Sequence, residues 1–270
     1  IRSVHVASHV GERVRIVGWL QSLRRLGGVS FLVVRDGWGV VQAVAGAERL
    51  KPLAGSSLES VIAIEGEVRA EMQAQGGVEL GDITIEVLSP VTEPAPLPLS
   101  KKTLNAQLPA LLEHAVVANR HPTRRAIFRL GAAVMRSFRQ ALDERGFVEI
   151  QSPKLVETAT EGGSNVFAVS YFGRTAYLAQ SPQFYKQVMV GVFERVFEVG
   201  PVFRAEPHDT TRHINEYVSL DAEFGFISDH FTVMALLRDT LAGVFARMAA
   251  DCGAELALLV DINLASTPRH

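Results

Sequence analysis

The sequence predicts a two-domain protein of β and α+β class: a small closed β-barrel, then a domain in which helices flank an antiparallel sheet. Three observations predict it. Five short apolar runs of strand character fill the first ninety or so residues, with helical periodicity confined to Ala47–Leu53. A stretch from Pro90 to Pro98 (PVTEPAPLP) follows, whose prolines disfavour both helix and central strand and favour an extended linker. Beyond it the apolar spacing lengthens to that of an amphipathic helix. The resulting division is a barrel at 1–89, a linker or hinge region at 90–121 and a second domain at 122–270.

The expected barrel strands are Arg13–Leu20, Val29–Arg35, Gly39–Val44, Ser60–Arg69 and Val78–Leu88, separated by turns at Gly27-Gly28, Asp36-Gly37 and Gly76-Gly77. Five strands in so short a span suit a Greek-key barrel of the OB type, which binds single-stranded nucleic acid on one face. Phe31 and Gln42 fall on neighbouring strands, with Arg15, Arg24, Arg25 and Arg35 nearby. An aromatic platform beside an amide and guanidiniums is what stacking on an unpaired base and reading its edge require. The bland readings, Phe31 as core and the barrel as a spacer, stay open at this point.

Composition bounds the function classes. At 270 residues, 47% apolar and 21% charged, the chain has the profile of a soluble globular protein. It has no apolar run near the roughly 18 residues a membrane helix needs, and no charged-then-apolar leader, so a cytoplasmic location is expected. A formal charge of −2 argues against coating nucleic acid through bulk positive field, although a local basic patch remains compatible. Cys252 stands alone and reads as a small buried apolar residue.

In the second domain, Thr123 to Arg145 carries Ile127, Leu130, Val134, Phe138, Ala141 and Leu142 at helical spacing, with Pro122 before it and Gly146 where a left-handed cap belongs. A short strand, Phe147–Ile150, then stops at Pro153. Two polar segments follow. Thr160-Glu161-Gly162-Gly163-Ser164 suits a loop that lets a ligand approach the backbone, with Glu161 able to hold an ammonium group. In Gln180-Ser181-Pro182-Gln183-Phe184-Tyr185-Lys186-Gln187, Ser181 can cap a helix opening at Pro182, and Gln183 and Lys186 lie on one helical face. A buried ammonium beside an amide suits a substrate carboxylate. A neutral amide substrate would leave such a cation without its counter-charge. Taken alone, Glu161 or Lys186 reads as a solvated surface residue.

The stretch Phe203 to Tyr217, FRAEPHDTTRHINEY, reads as a strand arm ending in Arg204-x-Glu206, a polar loop, and a second arm opening with Arg212-His213. Two residues apart on a strand, Arg204 and Glu206 share a face and offer a cation for a phosphate and an acceptor for an exocyclic amine. A nucleoside triphosphate satisfies both.

Arg204, Glu206, Arg212, His213, Glu216 and Tyr217 together match the second signature motif of the class II aminoacyl-tRNA synthetases, and the helix, strand and proline from Thr123 to Pro153 resemble the first. The segments GWLQSLRRLGGVSFLVVRDGWGVVQ, TEGGSNVF, YLAQSPQFYKQ, RVFEVGPVFRAE and TTRHINEYVSLDAEFGF resemble the archaeal-type aspartyl-tRNA synthetases, of the aspartyl, asparaginyl and lysyl subgroup, from Gly11 to about Val260. The resemblance implies a ligase that activates L-aspartate with ATP and magnesium, transfers it to tRNA(Asp), and forms a homodimer through the first motif. It implies that Glu161 binds the substrate ammonium and that Gln183, Phe184, Tyr185 and Lys186 form the aspartate-recognising segment. It implies that Arg204, the catalytic cation, bridges the aspartate α-carboxylate and the ATP α-phosphate, with Ala205 beside it. Glu206 would accept from the adenine amine, Arg212 and His213 would meet the triphosphate, with Ile214 beside them, and Tyr217 would stack on adenine. On the barrel, Phe31 would stack on the middle anticodon base and Gln42 read its edge, with Arg24 alongside.

The sequence departs from that family in two places. The glycine-rich third motif and the acidic magnesium ligands do not occur before His270, so this is expected to be the first part of a longer enzyme. Gln21 stands where tRNA(Asp)-restricted enzymes resemble one another in having tryptophan, and no lysine occurs between Pro52 and Ser100, which favours an enzyme that also charges tRNA(Asn). Alternatives are an inactive tRNA-binding paralogue, an asparaginyl-tRNA synthetase, and a synthetase-like enzyme forming asparagine without tRNA.

Overall fold

The computed structural model describes residues 1–160, 165–208, 210 and 213–266, with side chains described to 259. It divides into two compact units, Ile1–Arg125 and Ala126–His270.

Unit one is a closed five-stranded barrel of β1 (Arg13–Leu26), β2 (Val29–Arg35), β3 (Val40–Gly46), β4 (Val61–Ala70) and β5 (Val78–Ser89), in the order β1-β2-β3-β5-β4 with β4 pairing back onto β1. Only β3 and β5 run parallel. The strands close because each alternates: Ile16, Leu20, Leu32, Ile62, Ile64, Leu80 and Ile83 fill the interior while charged neighbours face out. β1 runs six residues past its expected end at Leu20. The pairing skips Gln21, so a bulge shifts the register between Leu20 and Ser22 and the strand continues to a Gly27-Gly28 turn in which Gly27 takes φ +60°. Ala47–Leu53 is a 3₁₀-helix.

A second 3₁₀-helix, Ser3–His9, is fixed to the barrel by Asp36. Burial pushes the Asp36 carboxyl up, but bonds from the Ser3 hydroxyl, the Ser3 N–H and the Gly39 and Trp38 N–H groups outweigh it and hold it below the usual carboxylate range. Arg35 and Glu59, both buried, form a two-pronged pair at 2.9 and 2.8 Å that Arg120 joins at 3.1 Å. The proline-rich stretch is irregular, and α1 (Leu108–Glu113) and α2 (Ala115–Ala118) follow. Leu97, Leu99 and Ala118 make a small core there.

In unit two, α3 (Pro122–Asp143) reaches a three-stranded sheet ordered β11-β10-β6, formed by β6 (Val148–Glu149), β10 (Arg195–Phe203) and β11 (Glu216–Phe224). β10 and β11 are antiparallel as expected, whereas β6 joins β10 in parallel. α5 (His230–Asp251) and α3 cover one sheet face, where Phe138, Leu142, Phe147, Phe197, Val199 and Val244 meet. Gly146 takes φ +75° just past the end of α3. Ile127, expected in the α3 core stripe, is 46% exposed. Cys252 is buried against Leu130 and Ala133, as its isolation suggested. A separate small sheet, β7 (Leu155–Val156), β9 (Arg174–Leu178) and β8 (Ala168–Tyr171), precedes α4 (Gln183–Phe193), and α6 (Gly253–Ser266) ends the described chain.

Candidate active site

Strand register decides which side chains share the sheet face opposite the apolar core. Glu198 stands opposite Asp221, Gly200 opposite Ser219 and Val202 opposite Tyr217, so these six point the same way. The Arg204 N–H donates to Asn215 O at 2.9 Å, which carries the pairing one step beyond the strand and sets Arg204 on the face of Tyr217 and Asp221. α4 packs across β10 and β11 and delivers the Lys186 ammonium to Asp221 and, at 3.3 Å, to Glu223. Lys186, reaching in from α4, and Arg204 and Tyr217, at or just beyond the strand ends, thus come to one side of the β10–β11 pair.

Two expectations need correction. Lys186 would not be left without a counter-charge by a neutral substrate, because Asp221 and Glu223 already hold it; any carboxylate ligand shares the ammonium with them. Arg204-x-Glu206 does not lie on the strand: β10 stops at Phe203 and β11 opens at Glu216, later than Arg212-His213. Proline at 207 has no N–H to give to a ladder, so regular pairing does not run on through it.

Hydrogen bonds outside the strand ladder hold the described loop residues. The Ala205 N–H donates to Asn165 O at 3.1 Å, and the Asn215 amide, turned nitrogen-inward, bridges the carbonyls of Arg204 and Glu206, 3.1 Å from each. His213 sits 3.6 Å from Glu206 and 2.7 Å from the Thr210 hydroxyl, while Ile214 is largely exposed. Glu161 and Arg212 lie outside the described residues.

The helix carrying Lys186 starts at Gln183, one residue later than expected, and the Ser181 hydroxyl accepts from the Gln183 N–H at 3.2 Å. The Thr160 hydroxyl accepts from the N–H groups of Gln180 and Ser181 at 3.1 and 3.3 Å, tying the glycine-loop base to the helix start. Gln183, Phe184 and Tyr185 line a cavity of about 440 Å³ with Val156–Thr160 and Gln187. Lys186 is not in that lining; its ammonium goes to β11 instead. Among the described residues no group of three or more His, Cys, Asp or Glu side chains is placed to hold a metal ion. Nor is any described helix long and apolar enough to cross a membrane.

On the barrel, Arg24 pairs with Phe31, and Val33 with Gln42, placing Arg24, Phe31 and Gln42 on one outer face. Gln42 Nε2 donates to Glu79 Oε2 at 2.9 Å. Sequence reading missed Asp221, Glu223 and Glu79. For the first two, alternate acids in SLDAEF were a signal; for Glu79, only the parallel β3–β5 register could have found it.

Comparison with known proteins follows the same division. Residues 108–267 match the family model of tRNA synthetases class II (D, K and N), and residues 14–89 match that of the OB-fold nucleic acid binding domain. The chain is 45% identical over 262 residues to the aspartate–tRNA(Asp/Asn) ligase of Deinococcus radiodurans, covering 97% of this chain and 59% of that protein. It is 46% identical over 252 residues to the enzyme of the same name from Thermus thermophilus, covering 93% and 58%. The asparaginyl-tRNA synthetase of Pyrococcus horikoshii, complexed with asparaginyl-adenylate, superposes with a TM-score of 0.87 at 30% identity, covering 96% of this chain and 60% of that one. The chain therefore spans about three-fifths of the length of these relatives. With an anticodon-type barrel and a motif-bearing sheet both matched, the chain belongs to the class II aminoacyl-tRNA synthetases of the aspartyl, lysyl and asparaginyl group.

Proposed function

We propose that the protein is an aspartate–tRNA ligase that makes aspartyl-adenylate from L-aspartate and ATP and transfers the aspartyl group to tRNA(Asp) and tRNA(Asn). The observation that carries this reading is the approach of Lys186, Arg204 and Tyr217 to one side of the β10–β11 pair. Lys186 has three ammonium protons, and Asp221 and Glu223 take two, leaving a third donor for the side-chain carboxylate of aspartate. Arg204 stands where the aspartate α-carboxylate meets the α-phosphorus, stabilising charge on the equatorial oxygens as pyrophosphate leaves. Tyr217 offers its ring to adenine and Glu206 its carboxylate to the exocyclic amine. Glu161 takes the ammonium, and Arg212 and His213, with Ile214 between them and the strand, take the triphosphate. Magnesium belongs with the nucleotide substrate in this reading.

Gln183, Phe184 and Tyr185 wall the neighbouring cavity, which is large enough to admit an amino acid. Phe31, Gln42 and Arg24 form the anticodon face of a barrel at 1–89, followed by a hinge region at 90–121 and the catalytic domain from 122. Exposed Phe128 on α3 and Val148 on β6 support a homodimer through this helix and strand. Gln21, the absence of lysine between Pro52 and Ser100, and the names of the relatives support an enzyme that accepts both tRNAs.

The test is aspartate-dependent ATP–pyrophosphate exchange by the full open reading frame that encodes this chain. Arg204→Ala should slow exchange by about two orders of magnitude or more. Near-normal exchange would refute the role. Charging of the two purified tRNAs then decides the tRNA range, and refusal of tRNA(Asn) would restrict it to tRNA(Asp).

A further inference from the structure

The side of the sheet that meets Lys186 holds a second ion pair, with a buried carboxylate, that has no place in the scheme above. Glu198, 1% exposed in the middle of β10, accepts from the Ser152 hydroxyl at 2.6 Å, from the Ser152 N–H at 3.3 Å and from the Lys154 ammonium at 2.6 Å. Lys154 also donates to the Ser152 hydroxyl at 2.9 Å. Glu198 is the direct cross-strand partner of Asp221, the residue that holds Lys186. Gly200, the next residue on that face, leaves the room the carboxylate uses: a Cβ there would stand 3.0 Å from Glu198 Oε1.

Directly opposed like charges repel. Five charges therefore form one layer: Lys154 and Lys186 against Glu198, Asp221 and Glu223, a net of −1 from two positive and three negative groups. An aspartate carboxylate must bind against that excess.

We propose that Lys154 and Glu198 are positioning residues that balance this layer, and that Lys154, by neutralising Glu198, keeps Lys186 available to the side-chain carboxylate of the substrate. This rests on the aspartate reading of the site. Without Lys154 the layer carries −2, and Glu198, buried beside Asp221, draws the Lys186 ammonium across the strand pair and away from the ligand. Neutralising both members restores −1. A purely structural role has no such charge arithmetic.

Four variants of the full enzyme test it: Lys154→Met, Lys154→Arg, Glu198→Gln and the double Lys154→Met/Glu198→Gln. Lys154→Met should raise the aspartate KM about tenfold, the order expected of one charge acting through a protein-like dielectric across a strand pair, with the ATP KM unchanged. The kcat/KM ratio of aspartate to asparagine should fall with it, because a neutral amide does not feel the added charge. Lys154→Arg and the double variant should return the aspartate KM to within about twofold of the parent, and Glu198→Gln alone should not raise it.

An unchanged aspartate KM in Lys154→Met, or a double variant no better than the single, overturns the inference. A crystal structure of Lys154→Met gives a readout independent of turnover: Lys186 shifted toward Glu198 supports the pair's role, and an unmoved Lys186 overturns it. If the unsubstituted enzyme shows no aspartate-dependent exchange, the functional reading fails, and the position of Lys186 in that structure still judges the pair.

Discussion

Lys186 and Asp221, thirty-five residues apart (221 − 186), meet between α4 and β11 as an ion pair in which the lysine is buried and the aspartate part-buried. Breaking such a pair from the lysine side leaves a part-buried carboxylate without its partner, which costs more than the pair itself contributes. Lys186→Met should therefore lower unfolding free energy by about 2 kcal/mol, less than for a fully buried pair, measured by denaturant titration, and abolish aspartate-dependent exchange. Lys186→Met/Asp221→Asn should recover most of the stability and none of the exchange. Recovery of both would mean that the lysine serves folding alone.

The barrel makes a separate prediction. Phe31, Arg24 and Gln42 share an outer face, so Phe31→Ala removes a platform without opening the barrel core. Stacking on an unpaired base is worth about 1–3 kcal/mol, so the tRNA KM should rise roughly tenfold or more while pyrophosphate exchange, which needs no tRNA, stays unchanged. Glu79→Ala should have a smaller effect in the same direction, because it frees the Gln42 amide that Glu79 now orients. A Phe31→Ala enzyme with parental tRNA KM would remove this face from the anticodon site.

Gly18 on β1 lies so close to β2 that a Cβ there would be 2.3 Å from Arg35 O and 2.9 Å from Val34 Cγ1. Neither the backbone nor a fully buried valine can give way without moving the strand that holds Arg35 on Glu59. Gly18→Ala should cost about 3 kcal/mol, at the upper end of overpacking penalties. A variant within about 0.5 kcal/mol of the parent would show that β1 and β2 separate freely here.

These relationships differ in how far the chain itself disclosed them. Alternation revealed the five barrel strands, because a half-buried strand writes its two faces into consecutive residues. It failed past Leu20, where the bulge at Gln21 breaks the period and hid the last six residues of β1. The short strands β7, β8 and β9 carry too few residues for any period to register. At the site, the motif residues were legible one by one, but their grouping depends on register between β10 and β11, and nothing local to Lys186 announces acids on a strand thirty-five residues away. The strand ends were misjudged at Arg204 and His213 because a polar loop and a strand terminus look alike in sequence.

His121 supplies the last prediction. It is fully buried, with Nε2 at 2.9 Å from the Lys101 carbonyl and Nδ1 at 2.7 Å from the Thr123 hydroxyl, an arrangement that a neutral ring protonated at Nε2 satisfies. Burial, and secondarily the nearby Arg35 guanidinium, push its pKa below the ordinary 6.5, against the opposing pull of the Lys101 carbonyl. Below pH 6.5 the unfolded chain takes up a proton that the folded one refuses, so in that window the unfolded state binds more protons and stability rises with pH. Lowering the pH from 7 through 6.5 should therefore weaken the protein progressively until the depressed folded pKa is reached, after which this residue contributes no further loss. Carboxylates such as Asp36, held low, act in a separate window beneath pH 3.8. His121→Gln, which keeps a donor and an acceptor but cannot titrate, should flatten the slope of unfolding free energy between pH 5 and 7 while costing stability at pH 7. A slope equal to the parent's in that range would assign the pH dependence to another group.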